Sequence, residues 1–145
     1  MIEEKFIVIE KNYKWKHNIN YRKNPMLYEY SKDCRGMYVC DPYKEELLRS
    51  WKFTTPEAAR ISAESIYDDF LSYLKGRDFV GSDMARKYLQ AGSTKNSIPI
   101  ESRKIFDVYH KKVLRDEAYI LLMQSFKFKQ RSYRESIERE KNARW

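Results

Sequence analysis

The sequence predicts a mainly α-helical domain of the α+β class, with three or four helices and a small β element near the N-terminus. Three observations lead to this prediction. Apolar residues recur at helical spacing over most of the chain beyond residue 44. β-Branched and aromatic residues cluster between residues 6 and 10. Only four glycines and four prolines interrupt the 145 residues, a length that fits a single domain over 1–145.

The first 43 residues are expected to form a segment rich in strands, loops, basic residues and aromatic rings. Residues 6–10 (Phe-Ile-Val-Ile-Glu) predict a short strand. Residues 11–23 carry five basic residues and no acid, with Tyr and Trp between them, and their asparagines favour a loop or edge segment. Residues 36–40 (Gly-Met-Tyr-Val-Cys) predict a second strand, which ends at Asp41-Pro42.

Residues 44–126 are expected to form the helical core. One or two turns are predicted at 44–50. A long helix then begins at Thr54, as N-cap, with Pro56 in the first turn and Glu57 three residues after the cap. Its apolar positions between Ala59 and Leu74 lie on one face, and Gly76 follows where a C-terminal cap belongs.

The next helix is predicted to begin near Gly81-Ser82-Asp83, to bury residues between Met84 and Leu89, and to end at Gly92. In this interpretation Asp83 is a cap or first-turn acid. Arg86 and Lys87 lie near the middle of the helix, where we expect them to be exposed as a contact surface or a solvated face.

A third core helix is predicted from Ile100 to Leu114, with inner positions between Ile105 and Val113. Arg115-Asp-Glu117 marks either a break or a solvated turn. Helical spacing resumes from Tyr119 to Phe126. Residues 127–145 are strongly charged and are predicted to form a C-terminal helix or a tail.

Composition restricts the possible function. Lys and Arg number 29 against 21 Asp and Glu, which gives a net charge of +8, and aromatic residues make up 15% of the chain. A basic chain rich in tyrosine favours a polyanionic partner. No segment approaches the roughly 18 apolar residues of a membrane span, so no membrane partner is expected. The acidic start of the chain does not resemble a signal peptide, and we expect a cytoplasmic protein.

Four segments in a fixed order resemble a family of small bacterial and phage proteins that is classed as a domain of unknown function. These segments are Tyr21-Arg-Lys-Asn-Pro25, Asp41-Pro-Tyr-Lys44, Trp51-Lys-Phe-Thr-Thr-Pro-Glu57 and the block from Asp78 to Gly92 that contains Asp83-Met-Ala-Arg-Lys87. The resemblance covers about residues 21–95. It implies a cytoplasmic protein and makes a phage origin, with residence in the host cytoplasm, plausible. It implies no activity and no catalytic residue.

The sequence departs from the family directly after this block. Many relatives continue into a strongly basic run, whereas Gly92-Ser-Thr-Lys95 leads here into Asn96-Ser-Ile-Pro99. If that run contacts nucleic acid in relatives, the basic and aromatic segments at 11–23 and 126–134 are the candidates to replace it.

Cations and aromatic rings alternate in two segments that form the candidate contact surfaces. Such a pattern suits a single strand, because cations contact phosphates and rings stack on bases. The same pattern is compatible with rings that pack inside and cations that only solubilise the chain. We predict one surface from Lys14, Trp15, Lys16, Tyr21, Arg22 and Lys23, and a second from Arg86, Lys87, Lys127, Arg131 and Arg134.

Metal binding and catalysis are less favoured. Cys34 and Cys40 lie six positions apart, with only His17 and His110 as further ligands, so no metal is predicted and the thiols are expected to be reduced. No nucleotide-binding or hydrolase motif occurs. We therefore expect no enzymatic activity and no cofactor.

The predicted function is that of a non-enzymatic nucleic-acid-binding regulatory protein of phage or bacterial type, acting on transcription or mRNA metabolism. Single-stranded RNA or DNA is favoured over duplex, because no recognition helix of helix-turn-helix type is evident. Two alternatives remain open. One is a phage-encoded inhibitor of a host protein, such as a component of the transcription or RNA-processing machinery. The other is a small metal-dependent nuclease.

Overall fold

A computed structural model describes residues 16–143, and over this range the chain is mainly α-helical, as predicted. After a short 3-10 turn at Pro25–Leu27, the described residues form α1 (Tyr43–Leu48), α2 (Pro56–Lys75), α3 (Phe79–Thr94), α4 (Ile100–Leu114) and α5 (Glu117–Ala143). Helix α3 is the centre of the fold, because it packs against each of the other four helices.

The strand predicted at 36–40 is wrong. Residues 36–40 form turns, in which the Gly36 carbonyl accepts hydrogen bonds from the N–H groups of Val39 (3.1 Å) and Cys40 (3.0 Å). Gly36 has a φ of 92°, a left-handed conformation that glycine adopts without steric penalty. Met37, Val39 and Cys40 are buried in the core and Tyr38 is partly buried against it, so burial, and not a sheet, accounts for the apolar composition of this segment. The strand predicted at 6–10 lies outside the described residues.

Helix α2 confirms the predicted long amphipathic helix. It begins at Pro56, and the hydroxyl of Thr55 caps it by accepting a hydrogen bond from the Ala58 N–H at 3.1 Å. The cap is therefore one residue later than predicted. The helix ends at Lys75 with Gly76 as C-cap, and the predicted apolar face is buried.

Helix α3 is longer at both ends than the sequence suggested. Asp78 is its N-cap and accepts a hydrogen bond from the Gly81 N–H at 3.0 Å, so Asp83 is neither a cap nor a first-turn acid. The helix passes through Gly92 and ends at Thr94. A Cβ atom on Gly92 would lie 2.3 Å from the Phe106 ring, so this glycine permits close approach of α3 and α4 and does not end a helix.

Helix α4 has the predicted bounds, Ile100–Leu114. Arg115 and Asp116 are not helical and separate α4 from α5. The apolar segment at 119–126 and the charged segment that follows are one continuous helix as far as Ala143. Its first half packs in the core through Tyr119 and Phe126, whereas most of its second half is exposed.

Candidate nucleic-acid interface

The structure buries three of the residues that we predicted to contact a ligand. Tyr21, Arg86 and Lys87 have almost no exposed surface, so the expectation that they form an outer contact surface is wrong. Tyr21 packs in the core, and its hydroxyl lies 3.3 Å from both the N–H and the carbonyl oxygen of Lys16. Two other members of the first predicted surface, Lys14 and Trp15, lie outside the described residues.

Arg86 is buried because its guanidinium neutralises a buried carboxylate and donates hydrogen bonds to the carbonyl oxygens of a loop. The Asp83 carboxylate, which is fully buried, accepts hydrogen bonds from Arg86 Nε (3.1 Å) and Nη2 (2.8 Å), from the Tyr119 hydroxyl (2.6 Å) and from the Tyr28 hydroxyl. The remaining N–H groups of Arg86 donate to Gln90 and to the carbonyl oxygens of residues 31–33.

The electrostatics of this cluster follow from its burial. Burial opposes the charged form of Arg86, but the charge and hydrogen bonds of Asp83, together with Tyr119 and Tyr28, outweigh burial and raise the Arg86 pKa above its ordinary value. Burial and the charge of Asp83 also raise the pKa values of Tyr28 and Tyr119, so both hydroxyls remain donors to the carboxylate. The Asp83–Arg86 pair therefore organises the core and presents almost no surface to solvent.

Lys87, the next residue along α3, is bound by the same loop as Arg86. Its ammonium group donates a hydrogen bond to the Arg35 carbonyl and lies 4.9 Å from the centre of the Tyr28 ring. Burial lowers the Lys87 pKa to about 8. The block from Asp78 to Gly92 that resembles the family is thus largely buried. Its cations, Arg86 and Lys87, donate hydrogen bonds to the carbonyl oxygens of a loop, which accounts for their burial.

Arg22 and Lys23 are exposed, but Arg22 is already engaged. Its guanidinium forms a two-pronged pair with the Glu46 carboxylate at 3.0 and 2.7 Å and lies 4.7 Å from the centre of the Tyr43 ring. Arg22 lines a cleft to which Lys127, Arg131 and Arg134 do not contribute.

The stretch of α5 from Lys127 to Arg134 carries the predicted cations that the structure does bring together. Lys127, Arg131 and Arg134 line one shallow groove of about 540 Å³, with Glu135 and Glu138 at its far end. The Lys127 ammonium lies 4.4 Å from the centre of the Tyr30 ring, and Arg134 pairs with Glu29 at 3.0 Å. Arg131 is exposed and makes no ion pair with any residue in the range 16–143.

Lys16 extends this basic region. It lines a neighbouring hollow of about 320 Å³ together with Arg134 and Tyr133. One predicted cation from the N-terminal segment therefore lies beside the predicted cations of α5, although the two segments are far apart in the sequence.

An exposed aromatic ring lies within the same stretch of α5. Phe128 is 67% exposed, whereas Phe126, two residues earlier, is buried in the core. Residues two apart on a helix point about 200° from each other, so only one of the two rings can face inward. Helical geometry applied to Phe126-Lys-Phe-Lys129 would have predicted this outer ring. We call Lys127, Phe128, Arg131 and Arg134 the α5 basic surface.

The structure also describes the groups considered for metal binding or nucleophilic chemistry. Cys34 and Cys40 are free thiols, and burial raises the pKa of Cys34 to about 11, so it is not an activated nucleophile. Within residues 16–143, no three His, Cys, Asp or Glu side chains are grouped so that they could hold a metal ion. In the same range, no helix combines the length and the apolar character that crossing a bilayer requires.

The fold and this surface define a helical domain whose apolar core encloses one buried ion pair, and whose last helix carries cations and an outward aromatic ring. The chain belongs to the family described as "Domain of unknown function (DUF4385)", whose sequence model matches residues 11–98, more than half of the chain. This match confirms the resemblance. No curated protein and no solved structure gives a significant match. The matched range includes the Asp83–Arg86 core and ends before α4, so the α5 basic surface lies beyond it.

Proposed function

We propose that this protein binds single-stranded RNA or DNA through the α5 basic surface and acts without chemistry of its own, as a regulator of transcription or mRNA metabolism of phage or bacterial type. The observation that carries the proposal is the position of Phe128. Its ring is 67% exposed, contributes nothing to the core, and lies in a helical stretch, 126–134, that contains four cations and no acid.

The chemistry of this surface suits an unpaired strand. The face of an exposed ring accepts a base by stacking, and such stacking contributes roughly 1–3 kcal/mol per base. A duplex keeps its bases stacked on each other, so it cannot use the Phe128 ring in this way. Arg131 is one helical turn from Phe128, so a cation is available for a phosphate beside a stacked base. Lys127 and Arg134 lie with Arg131 along the adjoining groove and extend the cationic path away from the ring.

Binding of labelled 12–20-nucleotide strands across a salt series tests the proposal. Three phosphate contacts on a single strand predict a log–log slope of affinity against salt of about −2. Replacing Arg131 by Gln should reduce the magnitude of this slope by about 0.7. Replacing Phe128 by Ala should weaken binding about 5- to 150-fold and leave the slope unchanged, because a ring releases no counterions.

Leu121 provides a matched control. It is 65% exposed and lies two turns before Phe128 on the same outer side of α5, outside the basic stretch. Leu121→Ala should leave strand binding unchanged. Absence of binding at low salt, or equal affinity of the Phe128→Ala variant and the native protein, would contradict the proposal. If the native protein does not bind strands but captures a host protein in a pull-down, and Phe128→Ala and Arg131→Gln both lose that protein, the inhibitor alternative is favoured. Magnesium-dependent cleavage of the strands would favour the nuclease.

A further inference from the structure

A second surface feature is a cleft of about 410 Å³ between the 3-10 turn, the α2–α3 connection and α5. Its volume lies in the range of small-molecule sites. None of the residues of the α5 basic surface lines it. The cleft is lined by Arg22, Pro25, Met26, Gly76, Arg77, Asp78, Phe79, Val80, Leu122, Ser125, Phe126 and Lys129.

Three cations from three separate elements meet at this cleft. They are Arg22, before the 3-10 turn; Arg77, between α2 and α3; and Lys129, on α5. Glu46 neutralises Arg22. Arg77 and Lys129 are exposed and form no ion pair with any described residue.

One carboxylate, Asp78, also lines the cleft. It accepts hydrogen bonds from the Tyr43 hydroxyl (2.5 Å) and the Gly81 N–H (3.0 Å), and it lies 3.9 Å from Arg22 Nε. With Glu46 included, three cations and two carboxylates surround the cleft, and this excess of one positive charge favours an anion.

The inner wall of the cleft is apolar and aromatic. The Phe79 and Phe126 rings lie 4.8 Å apart, and both are buried except for a small area. Met26 and Leu122, which are half-buried, complete this wall. A ligand that fills the cleft would thus meet apolar surface on one side and two cations on the other.

The backbone of Arg77 adds an independent feature. Its φ of 56° is the left-handed conformation, and Arg77 is the one non-glycine residue with positive φ among the described residues. Glycine would adopt this conformation without strain. The residue present is instead an arginine whose side chain lines the cleft, although it contributes no ion pair to the described fold.

We propose that this cleft binds a small phosphate-bearing ligand with a planar ring, the chemistry that a nucleoside monophosphate offers. Arg77 and Lys129 hold the phosphate, and the ring lies against the apolar wall formed by Met26, Leu122 and the small exposed area of Phe79 and Phe126. This site is separate from the α5 basic surface, and its existence does not depend on strand binding there.

Titration of the isotope-labelled full chain with AMP or UMP, followed by NMR, tests this site. Saturable shifts are expected at Gly76, Val80 and Ser125, which line the cleft. The parent nucleosides, which lack the phosphate, should bind at least tenfold more weakly, because a charged hydrogen bond is lost.

Arg77→Gly and Lys129→Gln should each weaken mononucleotide binding at least tenfold. Lys75→Gln removes an exposed cation near the end of α2 that does not line the cleft, and it should change nothing. The Phe128→Ala variant should also bind mononucleotides normally, so failure of the strand-binding proposal and failure of this one can be told apart.

Arg77→Gly keeps the test decisive, because glycine suits a φ of 56° and this relief of strain offsets the greater freedom of glycine in the unfolded chain, so the variant should unfold at about the same temperature as the native protein. Loss of binding with an unchanged unfolding temperature cannot arise from misfolding. No saturable shifts at millimolar mononucleotide, or equal affinities for Arg77→Gly, Lys129→Gln and the native chain, would overturn the proposal.

Comparison of oligonucleotides with and without a 5′-phosphate identifies the source of the phosphate. A preference for the phosphorylated end that Arg77→Gly abolishes supports a site for a strand end. Equal affinity for the oligonucleotides with and without the 5′-phosphate, together with saturable binding of the free nucleotide, supports a site for a free mononucleotide.

Discussion

Replacing Asp83 by Asn should destabilise the protein more than any single change on its surface. The substitution keeps the shape of the side chain and removes its charge. Asp83 and Arg86 are three residues apart on α3, with side chains 0% and 2% exposed and a closest distance of 2.8 Å. Without the carboxylate, the Arg86 guanidinium is left as a buried charge with no counterion.

The magnitude follows from that geometry. Breaking a buried pair by removing one partner costs about 3–5 kcal/mol, because the other charge remains desolvated. The whole free energy of unfolding of a domain is typically about 5–15 kcal/mol. A loss of this size therefore corresponds to a fall in Tm of about 10 °C or more. The two tyrosine hydroxyls also lose the charge that strengthens their hydrogen bonds.

Urea unfolding followed by circular dichroism at 222 nm measures this loss. The native protein and Asp83→Asn should have equal slopes and different midpoints. A double-mutant cycle with Arg86→Met should give a coupling energy of about 2 kcal/mol, because the two residues share one set of hydrogen bonds.

Glu57→Gln is a control with the same spacing. Glu57 and Arg60 are also three residues apart on one helix, at 2.5 Å, but their side chains are 68% and 47% exposed. Water screens such a pair, so the urea midpoint of Glu57→Gln should not differ measurably from that of the native protein. Equal midpoints for Asp83→Asn and the native protein would refute the conclusion that this buried pair stabilises the core.

Three further predictions concern other parts of the fold. Gly92→Ala should lower the free energy of unfolding by about 2 kcal/mol, measured by urea unfolding, because the added Cβ would overlap the Phe106 ring; an unchanged midpoint would contradict this. Lys87 has a folded-state pKa of about 8 against an ordinary value of 10.5, so the unfolded chain binds more protons between these values. Stability relative to Lys87→Met should therefore rise with pH from about 8 to 10, and parallel profiles would contradict a lowered pKa of Lys87 in the folded state. Burial lowers the pKa of His110 below 6.5, so the unfolded chain takes up this proton at a higher pH than the folded chain. Stability relative to His110→Gln should therefore fall as the pH drops below about 6.5. An NMR titration that gives the imidazole an ordinary pKa would contradict this.

Periodicity predicted the helices well, because apolar side chains on one face must be buried whatever their partners are. The bounds of α4 and the apolar face of α2 follow directly from the spacing of their residues. Helix ends were less accurate. Thr54 and Thr55 are equally good caps by residue type, and the start of α3 depended on whether Asp78 or Asp83 was the capping acid.

The candidate site was predicted only in part. The pattern of Lys127, Arg131 and Arg134 was enough to place three cations on one face of a helix, and the structure exposes them there. The same reasoning misplaced Arg86 and Lys87. Nothing in the order of residues shows that the carbonyls of a loop more than fifty positions earlier come to lie over α3 and accept their hydrogen bonds.

By itself, the sequence determined the helical class of this protein, the apolar faces of its helices and its net positive charge, because these depend on residue type and local spacing. Only the tertiary structure decided which cations are buried and which remain available to a ligand. The reason is that the exposure of a charged side chain depends on what the rest of the chain places around it. An arginine surrounded by loop carbonyls and a carboxylate becomes part of the core, whereas an identical arginine on the outer side of α5 remains in water.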